Sequence, residues 1–148
     1  MTQLTDTDFE EFLTEYGSAL ATYDADASAS MWGLPGTMIT DNFVGSLDSR
    51  VQMSQGLAQA YPLYRKLGLS RVTHTLLERT DITARITRLR VRWHFFDKEE
   101  EHLVDGDYEY LLRRDDNGPQ IYVAVAINEA EQMADLATRK GIDLTQMS

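Results

Sequence analysis

Phe9, Phe12, Leu13, Tyr16, Ala19, Leu20 and Tyr23 recur at the i, i+3, i+4, i+7 spacing of one helical face. Thr7 with Glu10 makes a capping-box pattern at its start, and Asp6 and Asp8 suit the positive end of a helix dipole. Asp24 and Asp26 end this helix and cap a shorter one from Ala27 to Trp32, which Gly33 and Pro35 terminate. Thr37–Phe43 reads as a short strand. Asp48 or Ser49 then caps another amphipathic helix, with Met53, Leu57, Ala60, Tyr61, Tyr64 and Leu67 on one face and Gly68 as its stop. Pro62 inside that helix predicts a kink, because it removes a backbone hydrogen bond.

From Leu69 onward the pattern is that of strands: Leu69–Thr80, Ile82–Phe96, Glu101–Arg113 and Gln120–Ile127. Asp97–Glu100 and Asp115–Pro119 separate them, and loops this short favour antiparallel hairpins. Glu129–Lys140 reads as a final helix or a loosely ordered tail. A two-residue turn at Lys98-Glu99 places Arg92 opposite Asp105, Arg90 opposite Asp107 and Arg88 opposite Glu109. The reverse face then carries Leu89, Val91, Trp93, Phe95, His102, Val104, Tyr108 and Tyr110. Opposite-charge pairs across strands contribute ~0.2–1 kcal/mol each, so their main role is to fix register. They also neutralise the arginines, which argues against an anion site. The apolar phase shifts from Ile82, Ala84 and Ile86 to Leu89, Val91 and Trp93, which predicts a β-bulge near Thr87 and a strong bend. A bent sheet wrapped around helices encloses a cavity. Helices first and strands afterwards make an α+β domain with its helices on one face of the sheet.

Length and charge narrow the functional classes. The 148 residues suit one domain spanning 1–148, with no repeat, low-complexity tract or Pro/Gly linker to divide it. The net charge of −10 repels phosphate backbones and anionic membranes, so no nucleic-acid or membrane partner is expected. No apolar run reaches the ~20 residues of a membrane-spanning helix, and the acidic N-terminus lacks the features of a signal peptide. Zero cysteines exclude disulfides, thiol catalysis and thiolate zinc sites. A soluble cytoplasmic protein is expected.

Tyr16, Ala19, Leu20, Asp24, Asp26, Trp32 and Pro35, the helix ending Tyr64-Arg65-Lys66-Leu67-Gly68, and Tyr108–Arg114 together give a pattern that resembles the nuclear transport factor 2-like superfamily. That superfamily includes SnoaL-like polyketide cyclases and ketosteroid isomerase, and the resemblance covers roughly residues 7–128. It implies a cystatin-like cone, with the N-terminal helices packed in the concave face of a strongly bent antiparallel sheet. It also implies a homodimer through the outer sheet face, where Tyr122, Ala124 and Ala126 are expected to permit close approach. The superfold hosts enzymes, binding proteins and scaffolds alike, so it implies no single activity. Ketosteroid isomerase pairs an aspartate base with a tyrosine and a protonated aspartic acid. Tyr16 looks similar to the oxyanion-binding tyrosine, Asp41 falls near the base position, and Asp107 and Glu109 are left on the arginine face.

Three functions follow as expectations: a pocket protein binding a small apolar or aromatic molecule, a cofactor-free isomerase, cyclase or dehydratase using Tyr16 and Asp41, or an interaction dimer with a collapsed pocket. The candidate lining is Tyr16, Trp32, Met38, Asp41, Phe43, Tyr61, Trp93, His102 and Tyr108. Tyr16 lies on an apolar stripe, as a core residue or a pocket donor, and Asp41 is a turn residue or a pocket base. His102 shares the apolar face with Trp93 and Phe95, as a rim or core residue or a proton shuttle. The three histidines show no mutual metal-ligand spacing, the acidic hairpin tip lacks calcium-loop spacing, and no phosphate or dinucleotide loop occurs. Neither a metal nor a cofactor is expected.

Overall fold

The computed structural model describes residues 4–143. Thr5, rather than Thr7, caps α1 (Asp6–Ala21): its hydroxyl accepts from the Asp8 N–H, and the Asp8 carboxylate accepts from the Thr5 N–H in return. Asp24 caps α2 (Ala25–Ser30) through the Ala27 N–H. The chain then turns directly into β1 (Trp32–Thr40) and β2 (Phe43–Leu47). Gly33 and Pro35 therefore lie within a strand, where the pairing of β1 skips between Trp32 and Thr37 around a cis Leu34–Pro35 bond. A side chain at Gly36 would meet Met53 Cε at 2.6 Å and Trp32 Cε3 at 2.7 Å, so glycine lets this strand close on the helices.

The expected long helix divides at its proline. Ser49 caps α3 (Arg50–Ala58), and Pro62 stands in the first turn of α4 (Tyr61–Leu67), where its missing N–H has no helical partner to lose. Gly68 closes α4 in the left-handed conformation at φ 86°. The remaining elements are β3 (Arg71–Asp81), β4 (Ile86–Phe96), β5 (His102–Asp115), β6 (Gly118–Ala126) and α5 (Glu129–Lys140).

The six strands form one sheet in the order β2-β1-β6-β5-β4-β3. All pairs are antiparallel except β1 with β6, which runs parallel, so the sheet is mixed rather than wholly antiparallel. The shift in apolar phase at residues 82–86 comes from the turn joining β3 to β4, and the irregularity lies between Leu76 and Glu78 of β3 rather than near Thr87. The central hairpin is offset by two residues from the expected register: Arg92 opposes Asp107 and Arg90 opposes Glu109. A shift of two preserves the faces, because side chains alternate with period two. Leu89, Val91, Trp93, Phe95, Val104 and Tyr110 are buried on the concave side, against Phe9, Leu13 and Tyr16 of α1. Among the described residues, no helix is long and apolar enough to cross a membrane.

Candidate functional site

Alternation along the strands aims Trp93 and Phe95 of β4, Tyr108 and Tyr110 of β5, Ala124 of β6 and Met38 of β1 into the concave side. Tyr16 and Leu20 of α1, Tyr64 of α4 and Glu129 of α5 meet them there around a cavity of about 120 Å³. A second cavity of about 170 Å³ shares Trp32, Met38, Gly56 and Leu57 with the first and continues to Phe43 and Leu47 of the β1–β2 hairpin. The wider hollow along α1, lined only by residues such as Glu10, Glu11 and Ser18 of that helix, brings no second element to bear.

Two indole–phenol pairs organise the polar atoms. The Trp32 Nε1–H donates to the Tyr16 hydroxyl at 3.0 Å, and the Trp93 Nε1–H donates to the Tyr110 hydroxyl at 2.8 Å. A phenol that accepts in this way keeps its own proton to donate, and the chain of donors polarises that O–H. The rings of Tyr108 and Tyr110 stack with centroids 5.5 Å apart.

Glu129 completes the set. The Tyr64 hydroxyl donates to its Oε1 at 2.7 Å and the Tyr108 hydroxyl donates to its Oε2. Burial pushes the Glu129 carboxyl above its ordinary range, and the hydrogen bonds from Tyr108 and Tyr64 offset only part of that. Burial, followed by the nearby Glu129 charge, raises Tyr64 and Tyr108 well above a free phenol. Burial likewise raises Tyr16, against the opposing hydrogen bond from Trp32. All three phenols therefore stay protonated as donors at neutral pH, while the Glu129 carboxyl holds its proton to higher pH than an exposed glutamate does.

Local sequence explains how a carboxylate comes to be there. Glu129 opens α5 four residues before Met133, on the stripe that continues through Leu136 and Ala137, all three buried. The Asn128 side-chain carbonyl accepts from the Asp107 N–H at 2.9 Å, tying the helix start to β5.

The pattern of the family described as NTF2-like protein (DUF6841) matches residues 6–129. The chain belongs to this NTF2-like family. A cystatin-like domain of unknown function from Nostoc punctiforme is similar in fold, with TM-score 0.66 and 16% identity over 97% of this chain and 92% of that one. An NTF-2-like protein of unknown function from Shewanella oneidensis gives TM-score 0.64 and 15% identity over 82% and 97%. A ketosteroid isomerase-like protein from Erwinia carotovora atroseptica gives 0.60 and 12% over 82% and 93%. No curated protein matches the sequence.

In this NTF2-like domain Tyr16, Trp32, Met38, Trp93 and Tyr108 come together on the first cavity, and Phe43 stands half exposed at the rim of the second. Three candidates do not join them. Asp41 is exposed in the Asp41-Asn42 turn between β1 and β2, so it does not converge with the buried Tyr16. Tyr61 is buried edge-on against Tyr23, 5.2 Å between centroids, outside the lining. His102 opposes Phe96 after a register shift, which turns it to the outer face, where it meets Asp105. Ala124 faces the cavity rather than outward. Glu129, Tyr64 and Tyr110 are the site residues that sequence reasoning did not assign. The signal for Glu129 was an acid on the apolar stripe of the last helix.

Proposed function

We propose that this domain binds a small apolar or aromatic molecule carrying a hydrogen-bond-accepting oxygen. The observation that carries this reading is the cavity itself: aromatic walls, the indole-polarised hydroxyls of Tyr16 and Tyr110, and a tyrosine-held carboxyl at Glu129. Apolar enclosure with a few convergent polar groups is the usual form of a ligand site. An apolar cavity of about 150 Å³ accepts benzene, so one-ring molecules match the space available here. Trp32 and Trp93 stand in the wall and report occupancy. Titration with phenol and with acetophenone is expected to change tryptophan fluorescence saturably. Tyr16→Phe weakens binding by roughly tenfold, the worth of one hydrogen bond, and Leu57→Trp abolishes it by filling the space. No saturable change with either probe would overturn the reading.

A second reading rests on Glu129, not on Asp41. A carboxyl held above its ordinary range beside phenolic donors is suited to moving a proton next to a carbonyl. The ionised Glu129 takes a proton from the carbon adjoining a ketone, Tyr16 donates to the oxygen as it becomes an enolate, and the proton returns to carbon. Its measure is exchange of the protons on the two carbons adjoining the carbonyl of cyclohexanone with deuterated solvent. Exchange above the buffer rate that disappears in Glu129→Gln supports it, and exchange no faster than buffer eliminates it.

The homodimer is retained as part of the proposal. Ile39, Leu111, Val123 and Val125 alternate with cavity residues, so they project from the outer face, each half-buried. Sedimentation equilibrium of the wild type and of Val125→Glu tests whether a second copy sits there: the variant is expected to be monomeric.

A further inference from the structure

On the sheet face turned away from the cavity, strand pairing assembles a group that linear spacing conceals. His94 of β4 lies directly opposite Asp105 of β5. The register shift between Phe95 and Phe96 brings His102 over the same carboxylate. Asp105 Oδ1 is 2.8 Å from His94 Nδ1 and 2.6 Å from His102 Nε2, and one ligand atom from each residue falls within 4.8 Å of the other two. The remaining nitrogen of His94 is held by the Thr75 hydroxyl at 2.7 Å.

We propose that His94, His102 and Asp105 form a binding site for a divalent transition-metal ion of the zinc type. Two imidazoles and one carboxylate supply three of the four ligands of a tetrahedral zinc ion, and water supplies the fourth. Ligand atoms about 2.0–2.1 Å from such an ion stand roughly 3.3 Å apart, so the two histidine–aspartate contacts open by about 0.5–0.7 Å, while the two histidine nitrogens, within 4.8 Å of each other, adjust to the same spacing. Thr75 plays the part of an outer partner: with His94 Nδ1 on the metal, Nε2–H donates to the Thr75 oxygen, fixing both tautomer and ring plane. His94 and Asp105 are partly exposed and His102 is half exposed, so an ion reaches them from solvent. The chain's net charge of −10 favours a cation over an anion as a ligand.

Isothermal titration of zinc sulfate into the full chain tests the proposal. One ion per chain is expected, with binding at least about tenfold weaker in His102→Ala and in Asp105→Asn. Thr75→Val is expected to reduce affinity less than either. His74→Ala should bind as the wild type does, because His74 is engaged with Glu10 at 3.2 Å, away from the group. Cobalt(II) titration adds a spectroscopic readout, since a tetrahedral site of nitrogen and oxygen ligands colours the ion and an octahedral one scarcely does. Absence of saturable zinc binding, or equal affinity in His102→Ala and wild type, would contradict the assignment. Circular dichroism of each variant separates loss of the site from loss of the fold.

Discussion

The two faces of the β4–β5 hairpin are built from alternate residues of the same strands, yet they hold their polar atoms in opposite ways. On the concave face Trp93 pairs with Tyr110, and Tyr108 with Glu129, in a setting where each hydroxyl or carboxyl has one or two fixed partners. On the outer face Arg88, Arg90 and Arg92 meet Glu109 and Asp107 with their guanidinium groups partly in water. Ion pairs with access to solvent set register at small energetic gain, whereas buried polar groups are costly to leave unpaired. Burial therefore raises the phenols and the Glu129 carboxyl of the inner face, while hydrogen bonds and ion pairs hold the outer-face groups in their charged forms.

The contrast breaks most visibly at Trp93, which is 1% exposed. Trp93→Ala is expected to cost about 3–5 kcal/mol, by lost burial and by the cavity left behind, read from urea unfolding midpoints. Tyr16→Phe comes next. It leaves the Trp32 indole N–H without its acceptor in the core, at about 1–3 kcal/mol by the same measurement. Glu109→Ala on the outer face is the smallest, about 0.2–1 kcal/mol, although Glu109 contacts two arginines. Near-equal losses at Trp93 and Glu109 would erase the distinction between the faces.

Acidity sharpens the same comparison with opposite signs. Glu129 is raised in the folded chain, so the unfolded chain releases its proton first as pH rises. Its contribution to stability is complete below the ordinary glutamate range and is lost as pH climbs through the folded value. Glu129→Gln removes that loss, so its stability relative to wild type should grow as pH rises from the ordinary glutamate range through the raised folded value, read from urea titrations. Asp105 behaves in reverse. Burial pushes it up, but the hydrogen bonds from His102 and His94 outweigh this and hold it low, so its contribution disappears as pH falls through the folded value.

Fold class and the buried faces of its elements were legible because they follow from periodicity. The helical stripe of Phe9 to Tyr16 and the strand alternation of Leu89 to Phe95 both placed their residues on the buried side. Errors arose where one residue changes the phase. The shift beside Phe96 carried His102 out of the cavity face, and the Asp41-Asn42 turn carried a supposed base to the surface. A hairpin loop of uncertain length moved the arginine ladder by two residues without disturbing its face. Glu129 was hidden for a different reason: its role depends on Tyr64 and Tyr108, 65 and 21 residues away in the chain. The His94–His102–Asp105 group was equally invisible, since only the hairpin register creates it.

The most direct test of the inner-face site is a carbon-13 NMR titration of the Glu129 carboxyl in free and phenol-saturated protein, assigned with Glu129→Gln. The account predicts a midpoint above the ordinary glutamate range that moves when phenol occupies the cavity. An ordinary midpoint, unmoved by phenol, would contradict it.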